Sequence, residues 1–392
     1  MQDRYNKVNI IQSLSTMPIY LGVNAIFVWK YTSRTVFSPL LFSTLWICIV
    51  LIILFLCKKL VKTEPVARRF TLLLLAICFA AIAAILIKVD PLSVNVDRWS
   101  ATTYFLDGLF SHTYPYGIHT HVCETNFPSP FPLWHYLNIP FWLIGDVGIG
   151  LFFFLAMFLT AVKLYTRSWL STFTALMLLG LSPAYWWEVF VRSDGLSNSI
   201  LVFSVILWMN YRHISFQTKW LSTAIICGLV TVTRLSAIIP MALYLFYSFI
   251  QISIRYKLLS LLVIATIIIA FFAPYILWDT TNWIFFNRNP LLSQTSTGSP
   301  VIMMLMIALA LFMVWFSHQS FRRFIVSAAW FMFLFFLVSI ISVHLRYSLN
   351  ESWTTDADFD ISYLTLSFPY VLFSLSTQHK LQCLHSDNPK SQ

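Results

Sequence analysis

The residues best suited to chemistry lie in one stretch, Asp90 to His135. It brings together four carboxylates, Asp90, Asp97, Asp107 and Glu124, and four of the nine histidines of the chain. Carboxylates and imidazoles are the groups that most often exchange protons in catalysis, and both can ligate metals. Pro91, Pro115, Pro128, Pro130 and Pro132 fall in the same interval. Proline and mixed polarity argue against a membrane-spanning helix there. Aromatic rings are interleaved throughout, among them Trp99, Tyr104, Tyr116, Phe127 and Trp134. That mixture suits a lobe resting on a membrane surface, where amphipathic rings settle.

A metal reading of this stretch is weak. His119-Thr120-His121 with Glu124 supplies ligand types, but nothing gives the spacing of a tetrahedral zinc site. The Asp356–Asp360 run lacks the glycine and the closing glutamate of a calcium loop. No metal or other cofactor is therefore expected, with a divalent metal at the loop histidines as the alternative.

The rest of the chain must position these residues, and it is of a different character. Of 392 residues, 58% are hydrophobic and only 10% charged, against about 25% charged in soluble domains. Composition therefore predicts an all-α polytopic membrane protein, with 1–392 forming one membrane domain in a lipid bilayer. The net charge of +10 comes from basic residues in short loops between apolar runs, which excludes nucleic acid as a partner. Cys48, Cys57, Cys78 and Cys227 sit in apolar runs and Cys383 in the tail, so only Cys123 lies in a large polar loop and no disulfide framework is expected.

Hydropathy gives a weak first segment at 10–29 and strong spans at 37–57 and 70–88. A short interfacial helix is predicted at 133–144. Further spans are predicted at 147–164, 169–186, 195–211, 219–233, 235–252, 257–277, 299–317, 323–344 and 362–377, about 11–12 transmembrane helices in all. Placing the Lys58–Arg69 loop in the cytoplasm puts 17 of the 25 basic residues inside and 12 of the 15 acidic ones outside. The large first loop, 89–132, is then extracytoplasmic, and the tail, 378–392, cytoplasmic.

Four arginines of the later outer loops run against that charge rule. Arg192, Arg234, Arg288 and Arg346 all fall in outer loops. Binding an anion is the simplest reason for their recurrence. Pairing with outer carboxylates such as Glu188 or Asp194 is the other.

The pattern resembles the GT-C superfamily of polytopic glycosyltransferases. A span at 70–88 leads into a large first loop with an early aspartate in VNVDRW (94–99) and an aromatic-proline element in HTYPYG (112–117). A proline-rich FPSPFPLWHYL (127–137) then opens a short helix ending in FWLIGD (141–146). The second outer loop carries Glu188 and Arg192-Ser193-Asp194, and a later one the Asn-Arg-Asn-Pro of 287–290. No adjacent Asp-Glu pair stands in the first loop, and no C-terminal soluble domain follows.

The resemblance implies a GT-C-like fold and an inverting transfer of a sugar from a polyprenyl-phosphate donor to a glycan or lipid-linked acceptor. Such a transfer needs a carboxylate to take the acceptor proton and cations to hold the departing phosphate. Asp97 is the expected base, with Asp90 as runner-up. Arg98, Trp99, Tyr116, Glu188, Arg192, Asp194, Arg234, Arg288 and Arg346 are the expected substrate-binding residues. A flippase for lipid-linked oligosaccharide and an O-antigen-polymerase-like protein are the alternatives. The first is disfavoured by the absence of an internal repeat, the second by the early position of the largest loop. A bacterial inner membrane is the expected location, with the endoplasmic reticulum as the alternative.

Orientation is directly testable at Cys123. A membrane-impermeant thiol reagent is expected to label it in intact cells or spheroplasts. Labelling confined to inside-out vesicles would reverse the topology.

Overall fold

The structure, a computed structural model, describes residues 14–295, 300–344 and 361–377. Arg346, the Asp356–Asp360 run and the tail from 378 lie outside them. The described residues are helical, with no strand among them. Five helices are long and apolar enough to cross a membrane: Pro39–Cys57, Glu64–Lys88, Val147–Thr166, Ile254–Ile276 and Phe321–Ile341. A sixth arises if Pro183–Phe190 and Asp194–Tyr211 count as one broken span. The chain is thus a multi-pass membrane protein. Several of the eleven or twelve expected spans are shorter than a full crossing, however. Met17–Thr32 and Phe216–Thr231 have 16 residues each, and Trp169–Gly180 has 12.

Local chemistry explains the shortening. The segment 169–186, expected as one span, is two helices, Trp169–Gly180 and Pro183–Phe190. Pro183 cannot donate within a continuing helix and disfavours helical geometry in the residue before it. The carbonyls released at the break are then claimed by side chains. Tyr20 Oη donates to Leu178 O at 2.6 Å, Trp46 Nε1 to Leu181 O at 3.0 Å and Trp186 Nε1 to Gly180 O at 2.8 Å. Asn24 Oδ1 accepts from Ser182 Oγ and from the Ala184 N–H, which secures the start of the next helix. Asn24, one of the polar residues that weaken the 10–29 hydropathy signal, therefore satisfies a broken helix elsewhere.

The chain folds as two compact units, each assembled from separate stretches. One comprises Met1–Ala81, Ala156–Glu188 and Leu305–Gln392, the other Ile82–Leu155 and Val189–Met304. In the first, the helix Pro39–Leu60 leaves Leu40, Phe55 and Leu60 more than 60% exposed. A bilayer solvates such a face at no cost, since lipid tails are as apolar as leucine.

The second unit holds the long polar stretch. Two short helices, Arg98–Phe110 and Pro132–Ile144, cross over an aromatic core. Phe105 stacks on His135 at 3.6 Å, and Tyr116 meets both Phe105 and Tyr275 edge-on. The stretch is fastened to the helix Phe216–Thr231 through backbone bonds from Phe131 N to Thr233 O and Leu133 N to Val232 O. That helix packs closely on Ile254–Ile276. A Cβ at Gly228 would lie 2.8 Å from Ile267 Cδ1 and 3.0 Å from its Cβ, so only glycine permits the approach.

Candidate functional site

The second unit gathers its charges at helix ends. Arg192 donates from Nη2 to Leu86 O at 2.8 Å and Val89 O at 2.9 Å, the last carbonyls of the span Glu64–Lys88. A guanidinium at this end of a helix satisfies orphan acceptors and meets the negative pole of the dipole. Its Nη1 lies 3.2 Å from Asp146 Oδ2. Asp146 caps the opposite kind of helix end. Its Oδ1 accepts from Gly148 N at 2.7 Å, just before the helix Gly150–Thr166. The same oxygen accepts from Trp99 Nε1 at 3.0 Å.

Asp194 forms the second node. It opens the helix Asp194–Tyr211, again at the positive pole, and is capped by Ser193, whose Oγ accepts from Gly195 N. Arg234 Nη1 pairs with Asp194 Oδ2, and Arg98 Nη1 stands 3.9 Å from Oδ1 while donating to Ser193 Oγ at 3.0 Å. Arg98, Arg192 and Arg234 are all under 10% exposed. Arg192 sits at φ 51, a left-handed conformation that costs a non-glycine residue about 1–2 kcal/mol. Its ion pair and two carbonyl bonds offset that strain. The result is a network of three arginines and two carboxylates drawn from 98, 146, 192, 194 and 234.

Of the residues expected at the site, Arg98, Trp99, Arg192, Asp194 and Arg234 meet in this network. Asp97 stands at its edge, at the N-cap position of Arg98–Phe110, but its side chain makes no capping bond. Asp90 instead closes a turn, its Oδ1 accepting from Leu92 N at 3.0 Å. Tyr116 is fully buried, and its hydroxyl donates to Pro130 O at 3.1 Å, within the aromatic core. Glu188 is buried and belongs to the other compact unit. Arg288 differs from the other arginines. Its guanidinium lies 4.8 Å over the Phe127 ring and donates to Gly117 O at 3.3 Å, and among the described residues no carboxylate pairs with it. Arg346 lies outside the described residues.

Asp146 is the residue the sequence pointed to without assigning a role. It ends the FWLIGD element, where Gly145 at φ 112 closes the preceding helix. Two histidines of this stretch, His121 and His135, make hydrogen bonds within it. His121 Nδ1 lies 2.6 Å from Ser100 Oγ and its Nε2 2.9 Å from Val94 O, which pins the loop to the start of Arg98–Phe110. Burial pushes the His135 imidazole down to about 3, with Arg234 adding in the same direction against the bond from Nε2 to Pro130 O. It is therefore neutral at physiological pH. Among the described residues no group of three or more His, Cys, Asp or Glu is arranged to hold a metal ion.

Removing one partner of a buried ion pair strands the other, at a cost of about 3–5 kcal/mol. Arg234→Ala is accordingly expected to lower the midpoint of thermal unfolding in detergent markedly, by leaving Asp194 with only the longer contact to Arg98. Arg288→Ala strands no described carboxylate and is expected to leave the midpoint nearly unchanged. Equal midpoints for the two variants would contradict the network.

Comparison with protein-family models, with characterised proteins and with solved structures gives no match.

Proposed function

We propose that the protein is an integral-membrane glycosyltransferase. It moves a sugar from a polyprenyl-phosphate donor to a glycan or lipid-linked acceptor on the extracytoplasmic face, with inversion and with Asp97 as general base. One observation carries the reading. Asp97 heads the helix whose next two side chains, Arg98 and Trp99, are tied into the buried charge network at the end of the span Glu64–Lys88. A membrane-spanning helix ends where the bilayer ends, and the sugar–phosphate junction of a lipid-linked donor lies at that depth. Asp97, Arg98 and Trp99 follow one another at that end, and Arg98 and Trp99 reach the network.

The roles divide by what each side chain already holds. Arg192, Arg98 and Arg234 organise Asp146 and Asp194, and so fix the frame on which Asp97 sits. Arg288, with a carbonyl and a ring as its partners, keeps its charge available for the departing phosphate. Such a charge-assisted contact strengthens as negative charge grows on the leaving group. Trp99 offers a ring at the side of Asp97. No metal or cofactor is required in this account, because the leaving phosphate needs only positioned cations.

The acceptor hydroxyl is a weak nucleophile, so loss of the base costs about 10²–10⁴-fold in rate. Asp97→Asn keeps the shape, inserts normally and is expected to lose transfer by that factor. An N-cap role predicts otherwise, since Asn caps about as well as Asp. The check is turnover of a radiolabelled lipid-linked sugar pool by membranes carrying Asp97→Asn, Asp97→Ala or Asp90→Asn. Near-normal turnover by Asp97→Asn, with a folded but inactive Asp90→Asn, would move the role to Asp90.

A further inference from the structure

A small cavity of about 20 Å³ opens beside the charge network. Its lining includes Thr102, Trp134, Asn138, Gly148, Arg192 and Asp194. Two of these hold buried polar atoms with no partner among the described residues, Trp134 Nε1 and Thr102 Oγ1. Trp134 is 1% exposed and Thr102 is 2% exposed. The indole is held in place rather than free to turn away, because it is enclosed and stacks on Phe154 at 5.3 Å. A buried donor left unmet costs about 1–3 kcal/mol, and native structures rarely carry two around one cavity without something that meets them.

The lining chemistry narrows what that something is. An indole N–H and a guanidinium can only donate, so the occupant must offer lone pairs. A carboxylate can only accept, so the occupant must also offer a proton to Asp194. A phosphate oxygen meets the first demand but is repelled by Asp194. An ammonium meets the second but is repelled by Arg192 and gives Trp134 nothing to donate to. A neutral hydroxyl, of a sugar or of a single water, meets both, and Thr102 can serve it as donor or acceptor; a water alone is the outcome in which no sugar probe reaches Trp134. Size agrees, since a space of this volume admits about one water-sized oxygen. A sugar ring is too large, while one of its hydroxyls fits.

We propose that this cavity is a hydroxyl-reading pocket that takes one hydroxyl of a sugar, with Trp134 and Arg192 donating to it and Asp194 accepting from it. The pocket rests on the sugar-transfer reading above and deepens it. Sugars that lack this hydroxyl, or present it in the other configuration, leave Trp134 and Thr102 unpaired and are disfavoured. The pocket is thus a specificity determinant, separate from Asp97 and from the phosphate contact.

The test uses the full chain, labelled with 5-fluorotryptophan and reconstituted in lipid nanodiscs. The Trp134 fluorine resonance is assigned by its loss in Trp134→Phe. Three probes are titrated: methyl hexopyranosides, polyprenyl-phosphate hexose, and polyprenyl phosphate without sugar. The resonance is expected to move with a sugar-bearing probe and to stay in place with polyprenyl phosphate alone. A larger response to the lipid-linked hexose assigns the hydroxyl to the donor, and a larger response to the free glycoside assigns it to the acceptor. Thr102→Val, which keeps the volume and removes the hydroxyl, is expected to abolish the movement. Both variants are expected to lower kcat/KM for transfer by about 10-fold, the loss of one good hydrogen bond. A resonance that ignores both sugar probes, or that follows polyprenyl phosphate alone, would overturn the pocket. So would wild-type transfer by Trp134→Phe, and that result would leave the glycosyltransferase reading standing. A sugar-dependent shift in a protein that transfers nothing would keep the pocket and overturn the transferase.

Discussion

Asp194 pairs with two arginines at once while opening a helix, and the second unit is arranged around that demand. A charge taken out of water costs several kcal/mol unless it is paired and hydrogen-bonded. Three of the five charges in the network stand where a helix end favours them. Arg192 lies on the carbonyl end of Glu64–Lys88, and Asp146 and Asp194 stand at the amide ends of later helices. Helix dipoles therefore stabilise the same charges that the ion pairs hold. The network fixes the ends of three helices relative to one another without needing a large apolar contact there.

That arrangement has a consequence for chemistry. Arginines locked by carboxylates and carbonyls position their neighbours and lose little entropy when a substrate arrives. The helix Arg98–Phe110 is anchored by its first two residues, so Asp97, immediately before them, is carried on a rigid frame. Its far end is held by the aromatic core of Phe105, Tyr116 and His135. Precise placement of a base depends on such support, because small displacements cost orders of magnitude in rate. Arg288, which has no carboxylate partner among the described residues, sits on a different segment, fastened to the polar stretch through Tyr114 Oη and Gly117 O.

Much of the fold was legible in the sequence, and the failures have physical causes. The apolar runs at 37–57 and 70–88 correspond to the spans Pro39–Cys57 and Glu64–Lys88, because twenty apolar residues leave few other solutions. The short helix at 133–144 is Pro132–Ile144, opened by proline and closed by a left-handed glycine. The run 169–186 misled because hydropathy does not register Pro183. Most residues of the charge network were identifiable, since buried arginine in an apolar chain needs a reason. Their pairing was legible only in part: Asp194 stands among the outer carboxylates expected to take an arginine, but which arginine was not legible. Arg98 and Asp194 are far apart in sequence, and nothing local says that Arg234 meets Asp194 while Arg288 meets a ring. Asp146 was overlooked as a partner because a Gly-Asp after a helix reads first as a cap, which it also is. The burial of Tyr116 was not legible, because an aromatic in a polar loop looks available until its core is known.

The central claim is that the network frames a sugar transfer from a lipid phosphate. Mass spectrometry of surface glycans and lipid-linked sugars, from cells with and without the protein, tests it most directly. The account predicts that cells lacking the protein lose one sugar from a surface glycan or glycolipid and accumulate the corresponding polyprenyl-phosphate sugar. Unchanged glycans and lipid-linked pools would contradict it, and accumulation of a complete lipid-linked oligosaccharide would point to transport instead.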